Sequence, residues 1–270
     1  VEDGKMKKSL LTVCLLLIGL LVYPQPGKEK LIPVTTNSRT ALKLYLEAKK
    51  YFDDVKLDRA LETFKRALDQ DPDFFMANYQ LASYYLLNKA SDEFYEYANA
   101  AINCKARLSE GEELLKKALV RLNQGHIDVT DIGRRLIEMY PNDPDSYNNM
   151  VSFQSLAQDT DKIVETLNQA IRISSDPAPF YNQLGYAYLT LKQNDKAEEA
   201  FDKYIELAPG NPNVYDSKGD YYMIIKKYDK AYQSYMKANS MDPSFSHEKA
   251  EIARKLYEQT EGKRIDIIPI

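Results

Sequence analysis

Apolar and small residues recur three or four positions apart from Pro179 to Leu191, at Tyr181, Leu184, Gly185, Tyr188 and Leu191, and this spacing draws one stripe along a helix. A polar turn, Lys192-Gln193-Asn194-Asp195, follows, and Ala197, Phe201, Tyr204 and Ile205 then draw a second stripe. Gly185 and Ala197 are small where two helices must approach closely, while Tyr181, Tyr188 and Phe201 fill the space around them. The stretch from Ala178 to Asn211 therefore predicts an antiparallel helical hairpin. Pro209 lacks the amide hydrogen that a continuing helix needs, and Gly210-Asn211-Pro212 is turn chemistry, so the chain stops and restarts there.

A shift of 34 residues brings the same pattern back as Tyr215, Gly219, Tyr222, Ala231, Tyr235, Ala238 and Pro243. One such hairpin buries too little apolar surface to offset the entropy of ordering its backbone, so the repeat predicts a stack in which neighbours supply the missing contact. Earlier in the chain Ala48, Tyr51, Ala60, Phe64, Ala67 and Pro72 keep the same positions, as do Leu81, Ala82, Tyr85, Ala98 and Ala101, with Phe94 where the second helix usually opens on a small residue. A third unit is degenerate: it keeps Leu136 and Pro141, has Lys117, Val120 and Val129 elsewhere, and carries a less regular turn at Asn123-Gln124-Gly125-His126. A fourth has Tyr147, Leu167 and Ala170, with Ser175 in place of the usual proline.

The period and the residues that mark it resemble the tetratricopeptide repeat. The resemblance implies an all-α, right-handed α-solenoid of about six helix-turn-helix units, 41–74, 75–108, 110–143, 144–177, 178–211 and 212–245, with a concave and a convex face. Residues 246–260 read as a capping helix, with Ala250, Ala253, Leu256 and Tyr257 inward and Glu248, Lys249, Glu251, Arg254, Lys255 and Glu258 toward water. The tail 261–270 ends in Ile265-Asp266-Ile267-Ile268-Pro269-Ile270. It reads as an extended segment packed on the end of the superhelix, with disorder and a ligand for another chain as the alternatives.

At the other end, Met6-Lys7-Lys8 and the apolar run Leu10 to Val22 have the charged start and short core of a secretory signal, whereas a membrane span needs about 20 apolar residues. Residues 1–25 are read as a signal peptide cut near Gln25, with an uncleaved anchor as the alternative. Leu11-Thr12-Val13-Cys14 makes a poor lipidation site, because Val13 is not small and most of the apolar core follows the cysteine. Residues 26–40 read as a linker in which Thr35 to Thr40 offers caps for the first helix. Cys104 is then the remaining thiol, without a disulfide partner, and reads as a core residue.

Lysine plus arginine number 36 and aspartate plus glutamate 40, a net charge of −4, which leaves no footprint for nucleic acid or anionic lipid. Each of the 21 tyrosines either fills an interhelical gap or lines a groove, where aromatics are enriched. His126 and His247 lie in different elements without acids or cysteines at ligand spacing, and neither a phosphate loop nor a nucleophile elbow is present. The pairs Asp53-Asp54, Glu112-Glu113 and Glu198-Glu199 diverge by about 100° on a helix and read as solvated surface acids. No catalytic residue, metal or cofactor is expected, and the chain reads as a non-enzyme.

In the resembled family the fifth, sixth and ninth residues of each first helix face the concave groove. Carried over, these positions give Tyr45, Leu46 and Lys49; Tyr79, Gln80 and Ser83; Leu114, Leu115 and Ala118; Asn148, Asn149 and Ser152; Asn182, Gln183 and Tyr186; and Asp216, Ser217 and Asp220. The expected binding residues are Tyr45, Tyr79, Asn148, Asn149, Asn182, Gln183, Tyr186, Asp216 and Asp220. The later units carry no lysine or arginine there, which argues against a clamp for a terminal carboxylate, and the amides suit an extended peptide backbone. The expected partner is a protein or peptide, with membrane contact only through an uncleaved amino terminus. The resemblance to exported repeat proteins implies a scaffold in the periplasm or envelope of a Gram-negative bacterium. A self-associating structural component and an accessory subunit of an enzyme stand as alternatives.

Overall fold

A computed structural model describes residues 30–264, and among them thirteen α-helices follow one another without a strand. The first three hairpins pair α1 (Arg39–Asp53) with α2 (Leu57–Gln70), α3 (Phe75–Leu87) with α4 (Ser91–Ile102), and α5 (Glu110–Asn123) with α6 (Thr130–Met139). The next three pair α7 (Pro144–Leu156) with α8 (Thr160–Ile173), α9 (Ala178–Thr190) with α10 (Asn194–Leu207), and α11 (Pro212–Ile224) with α12 (Tyr228–Met241). A last helix, α13 (His247–Glu261), packs on α12. Each helix packs on its neighbours in sequence, and first helices of successive hairpins also touch, α3 against α5 and α9 against α11. This is the contact pattern of an α-solenoid. None of the described helices is long and apolar enough to cross a membrane.

Local chemistry sets the boundaries. Ser38, Ser109, Asp143, Asp159 and Asn211 accept the first free amide hydrogens of their helices, and Pro144 and Pro212 occupy opening positions where a missing N–H costs nothing. Inside every hairpin the first helix ends on a left-handed residue: Val55, Lys89, Gly125, Gln158, Lys192 and Lys226. Gly125 completes this series with the same pair of hydrogen bonds, Gly125 N–H to Leu122 O and His126 N–H to Arg121 O, both 2.9 Å. The third turn is thus as regular as the others, contrary to the sequence expectation, and there alone the strained backbone position falls on glycine.

The core is layered as the stripes predict. Phe201 seats over Gly185 and Tyr235 over Gly219, the missing side chains letting the helices close onto the rings. Val129 and Phe94 are fully buried at the start of their helices despite their size. Cys104 is buried, and burial pushes its thiol pKa above the ordinary value.

Residues 30–38 are not a free linker. They run as an extended strap past the end of α2 and the starts of α5 and α7. The Ile32 N–H donates to Asp143 Oδ2 at 2.6 Å, Ser109 Oγ donates to Pro33 O at 2.8 Å, and Thr35 donates both its N–H and its hydroxyl to the Glu112 carboxylate. Thr36 and Asn37 donate to Asp71. Ile32 fills the space that a side chain at position 111 would occupy, which explains Gly111 in the degenerate unit. Glu112, read from the sequence as a surface acid, is fully buried here. The expected signal at 1–25 and the tail at 265–270 lie outside the described residues.

Candidate functional site

Curvature of the stack, rather than any single repeat, assembles the site. Lys49 on α1 donates to Asp145 on α7, and the Tyr79 hydroxyl on α3 donates to Asn149 Oδ1 on α7. Lys56 also reaches Asp242, 3.8 Å away, at the end of the sixth hairpin. The concave faces of the first two units therefore meet the fourth and fifth. Between them lies a cavity of about 450 Å³, lined by first helices on both sides. The expected concave groove is thus narrowed over its amino-terminal half into a partly open cavity.

The nine expected residues divide into three groups. Tyr45 does not line the groove: it is 2% exposed, packed between Phe64 and Phe74 at 5.7 and 5.2 Å, so it belongs to the core. Its hydroxyl lies beside Gln80 but outside hydrogen-bonding geometry, and burial raises its pKa. The second group, Tyr79, Asn148, Asn149, Asn182 and Gln183, reaches the cavity. Tyr79 and Asn149 serve as a clasp, since Asn149 Oδ1 accepts from Tyr79 while its Nδ2 donates to Asp145 O at 2.7 Å. Asn148 and Gln183 are bridged from unit to unit by Gln183 Nε2 donating to Asn148 Oδ1 at 3.2 Å. Asn148 Nδ2 and Gln183 Oε1 remain without partners among the described residues, and Asn182 Oδ1 is shut off from water with no donor among them.

The third group, Tyr186, Asp216 and Asp220, forms a separate cluster. Asp220 accepts from the Tyr186 hydroxyl at 2.8 Å, from the Tyr235 hydroxyl at 2.7 Å and from Lys249 Nζ at 2.9 Å. Asp216 accepts from Ser246 and from Lys249. The acidic end of the groove is thereby half neutralised by a lysine expected to face water. Burial lowers the Lys249 pKa, but Asp216 and Asp220 outweigh it and hold the ammonium above its ordinary value. Burial, and then Asp220, raise Tyr186 and Tyr235 well above the phenol range. The cluster borders a shallower hollow of about 350 Å³ beside Ile224 and Ile252, which are 55% and 52% exposed.

Several cavity residues escaped the sequence reading. Lys49, Gln80 and Ser83 stood at groove positions without being chosen, Asp53 was read as a solvated surface acid, and Phe52, Tyr84 and Asp145 had no signal beyond their repeat position. For Lys49, burial works against the charge but Asp145 prevails, so its pKa lies above the usual lysine value. Among the described residues no group of three or more His, Cys, Asp and Glu is placed to hold a metal ion.

Profiles of the tetratricopeptide repeat match the chain over residues 45–112 and, as two further repeats, over 178–211 and 212–245. No curated protein matches it. Among solved structures it is similar to a thermophilic TPR protein of Thermus thermophilus, at 19% identity, 83% of this chain, 100% of that one and a TM-score of 0.48. It is also similar to the APC/C hetero-tetramer Cut9-Hcn1, at 18% identity, 79% of this chain, 42% of that one and a TM-score of 0.44. A third, YrrB, described as a TPR protein with an unusual peptide-binding site, is 17% identical over 80% of this chain and 92% of its own, with a TM-score of 0.37. Repeat profiles that cover about half of the sequence, on a chain that folds into successive helical hairpins, place it plainly: the chain belongs to the tetratricopeptide repeat family.

Proposed function

We propose that this protein is a non-catalytic interaction scaffold that holds a segment of a partner protein, by its backbone, in the cavity between the first two and the fourth and fifth units. Repeat solenoids of this kind present extended concave surfaces, and most first helices here converge on one partly open cavity. The observation that carries the reading is the bridged pair Asn148 and Gln183, which leaves one amide donor and one amide acceptor facing the cavity. An extended backbone offers the complementary carbonyl and N–H. Apolar walls at Phe52, Leu57, Tyr84, Leu87 and Val151 would take its side chains. The charged start and apolar run at Met6 to Val22 support a setting in the bacterial cell envelope, facing the periplasm.

The experiment replaces Ser152, on the cavity wall, with a photo-reactive residue in the native envelope and identifies the cross-linked partner segment by mass spectrometry. That segment, synthesised and titrated, is expected to bind about tenfold or more weakly to the Asn148→Ala, Asn182→Ala, Gln183→Ala variant than to the wild type. Asn149 is spared because it holds the clasp to Tyr79. Equal binding by the triple variant would overturn the backbone-recognition reading.

A further inference from the structure

The cavity wall carries three charged side chains, Lys49, Asp53 and Asp145. Lys49 and Asp145 neutralise each other across the groove. Asp53 lines the cavity while staying exposed to solvent, and it has neither an ion pair nor a hydrogen bond among the described residues, so that wall keeps one negative charge without a protein partner. Asp54, Asp145 and Asp176 add to the field there: partial desolvation first, and then these neighbours against the counteracting Lys49, push the Asp53 carboxyl above its ordinary range. A second acceptor without a partner is Asn182 Oδ1, covered in the free protein and with no donor among the described residues, an arrangement that favours a ligand able to donate to it. Among the described residues no unpaired cation lines the cavity, so that wall offers no charge to balance a carboxylate or phosphate. Phe52 and Tyr84 meet edge to face at 6.4 Å on the same wall, a surface suited to an aliphatic stem and to a cation over a ring.

Resting on the peptide-binding reading above, we infer that the segment taken into this cavity presents a lysine or arginine side chain, whose cation is received by the Asp53 carboxylate and the Asn182 amide oxygen while its stem lies along Phe52 and Tyr84. The class of partner is thus a basic-residue-bearing peptide, opposite in charge to a ligand recognised through its terminal carboxylate.

The test uses the full chain with its side-chain amides labelled with nitrogen-15 and four blocked tripeptides, acetyl-Ala-X-Ala-amide with X lysine, arginine, norleucine or glutamate, plus butylamine alone. Lysine and arginine peptides are expected to move the Asn182 and Gln183 side-chain amide signals at concentrations about tenfold or more below those at which norleucine or glutamate does. Asp53→Asn, which removes no contact made in the free protein, is expected to bring the lysine peptide down to the norleucine level with thermal stability retained. Equal response to lysine and norleucine, unchanged lysine affinity in Asp53→Asn, or no response to any tripeptide overturns the inference. Butylamine acting as tightly as the lysine peptide also overturns it, in favour of a small-amine site. The backbone reading is judged separately: if the triple amide variant weakens the cross-linked partner segment while Asp53→Asn does not, that reading stands and the charge preference falls.

Discussion

Gly219 is the position where one added methyl group should be felt most. A Cβ there would lie 2.4 Å from Tyr235 Cε1, 2.5 Å from Cδ1 and 2.9 Å from Cζ, against the roughly 3.5–4.0 Å at which carbon atoms rest. The ring would have to retreat by about an ångström. It is buried on all sides, and its hydroxyl is tied to Asp220, which also anchors Tyr186 and Lys249. Overpacking of this kind costs about 1–3 kcal/mol, and strain on a hydrogen bond to a charged group adds about 1 kcal/mol. Replacing glycine with alanine in mid-helix returns about 1 kcal/mol. Gly219→Ala should therefore destabilise the protein by about 2 kcal/mol, a fall in melting temperature of about 4–8 °C for a chain of this size. At Gly185 the nearest atoms are Phe201 Cε1 and Cζ at 2.6 Å, and that ring has no polar tether, so Gly185→Ala should cost about half as much. Gly210 has nothing within 4 Å, and alanine there should be neutral or stabilising by up to about 1 kcal/mol. Urea unfolding of the three variants measures the order directly. Wild-type stability for Gly219→Ala, or equal effects at positions 219 and 210, would refute the hairpin packing described above.

Two further outcomes are expected. Glu112→Ala removes the acceptor for Thr35 N–H, the Thr35 hydroxyl and Ser109 N–H, which should cost about 2–4 kcal/mol and free the strap; cleavage within residues 30–38 under limited proteolysis should accelerate, and an unchanged rate would show that the carboxylate does not hold the segment. Burial raises the pKa of Glu198, but the nearly buried Lys218 ammonium and the Tyr221 hydroxyl outweigh it and leave the carboxyl below its ordinary value of 4.5. A depressed folded value contributes stability that is present above pH 4.5 and lost as pH falls through the folded value, so Glu198→Gln should flatten the acid limb of the stability profile in that window; an unaltered limb counts against the pairing.

What could be read without coordinates was whatever repeats locally. The stripes through Tyr181, Gly185, Ala197 and Phe201 depend on contacts within one hairpin, where helical periodicity ties sequence distance to spatial distance, so fold class followed from them. The regular turn at Gly125 was hidden because the feature shared by all six hairpins is a backbone angle, adopted by valine, lysine and glutamine elsewhere, rather than a residue type. Glu112 read as a solvated surface acid and Gly111 carried no signal of its own, yet both serve a strap that arrives from about 77 residues away.

The candidate site shows the same division. Asn148, Asn182 and Gln183 could be placed on one face because equivalent positions of stacked repeats must align. That Tyr45 turns into the core, that Lys49 meets Asp145 and that Lys249 covers Asp216 and Asp220 came only from the tertiary structure. The cause is cumulative: a small rotation at each interface between hairpins adds up over several units, and the sum decides which distant faces meet. Local residue chemistry specifies each unit; the curvature that closes the cavity is a property of the whole stack.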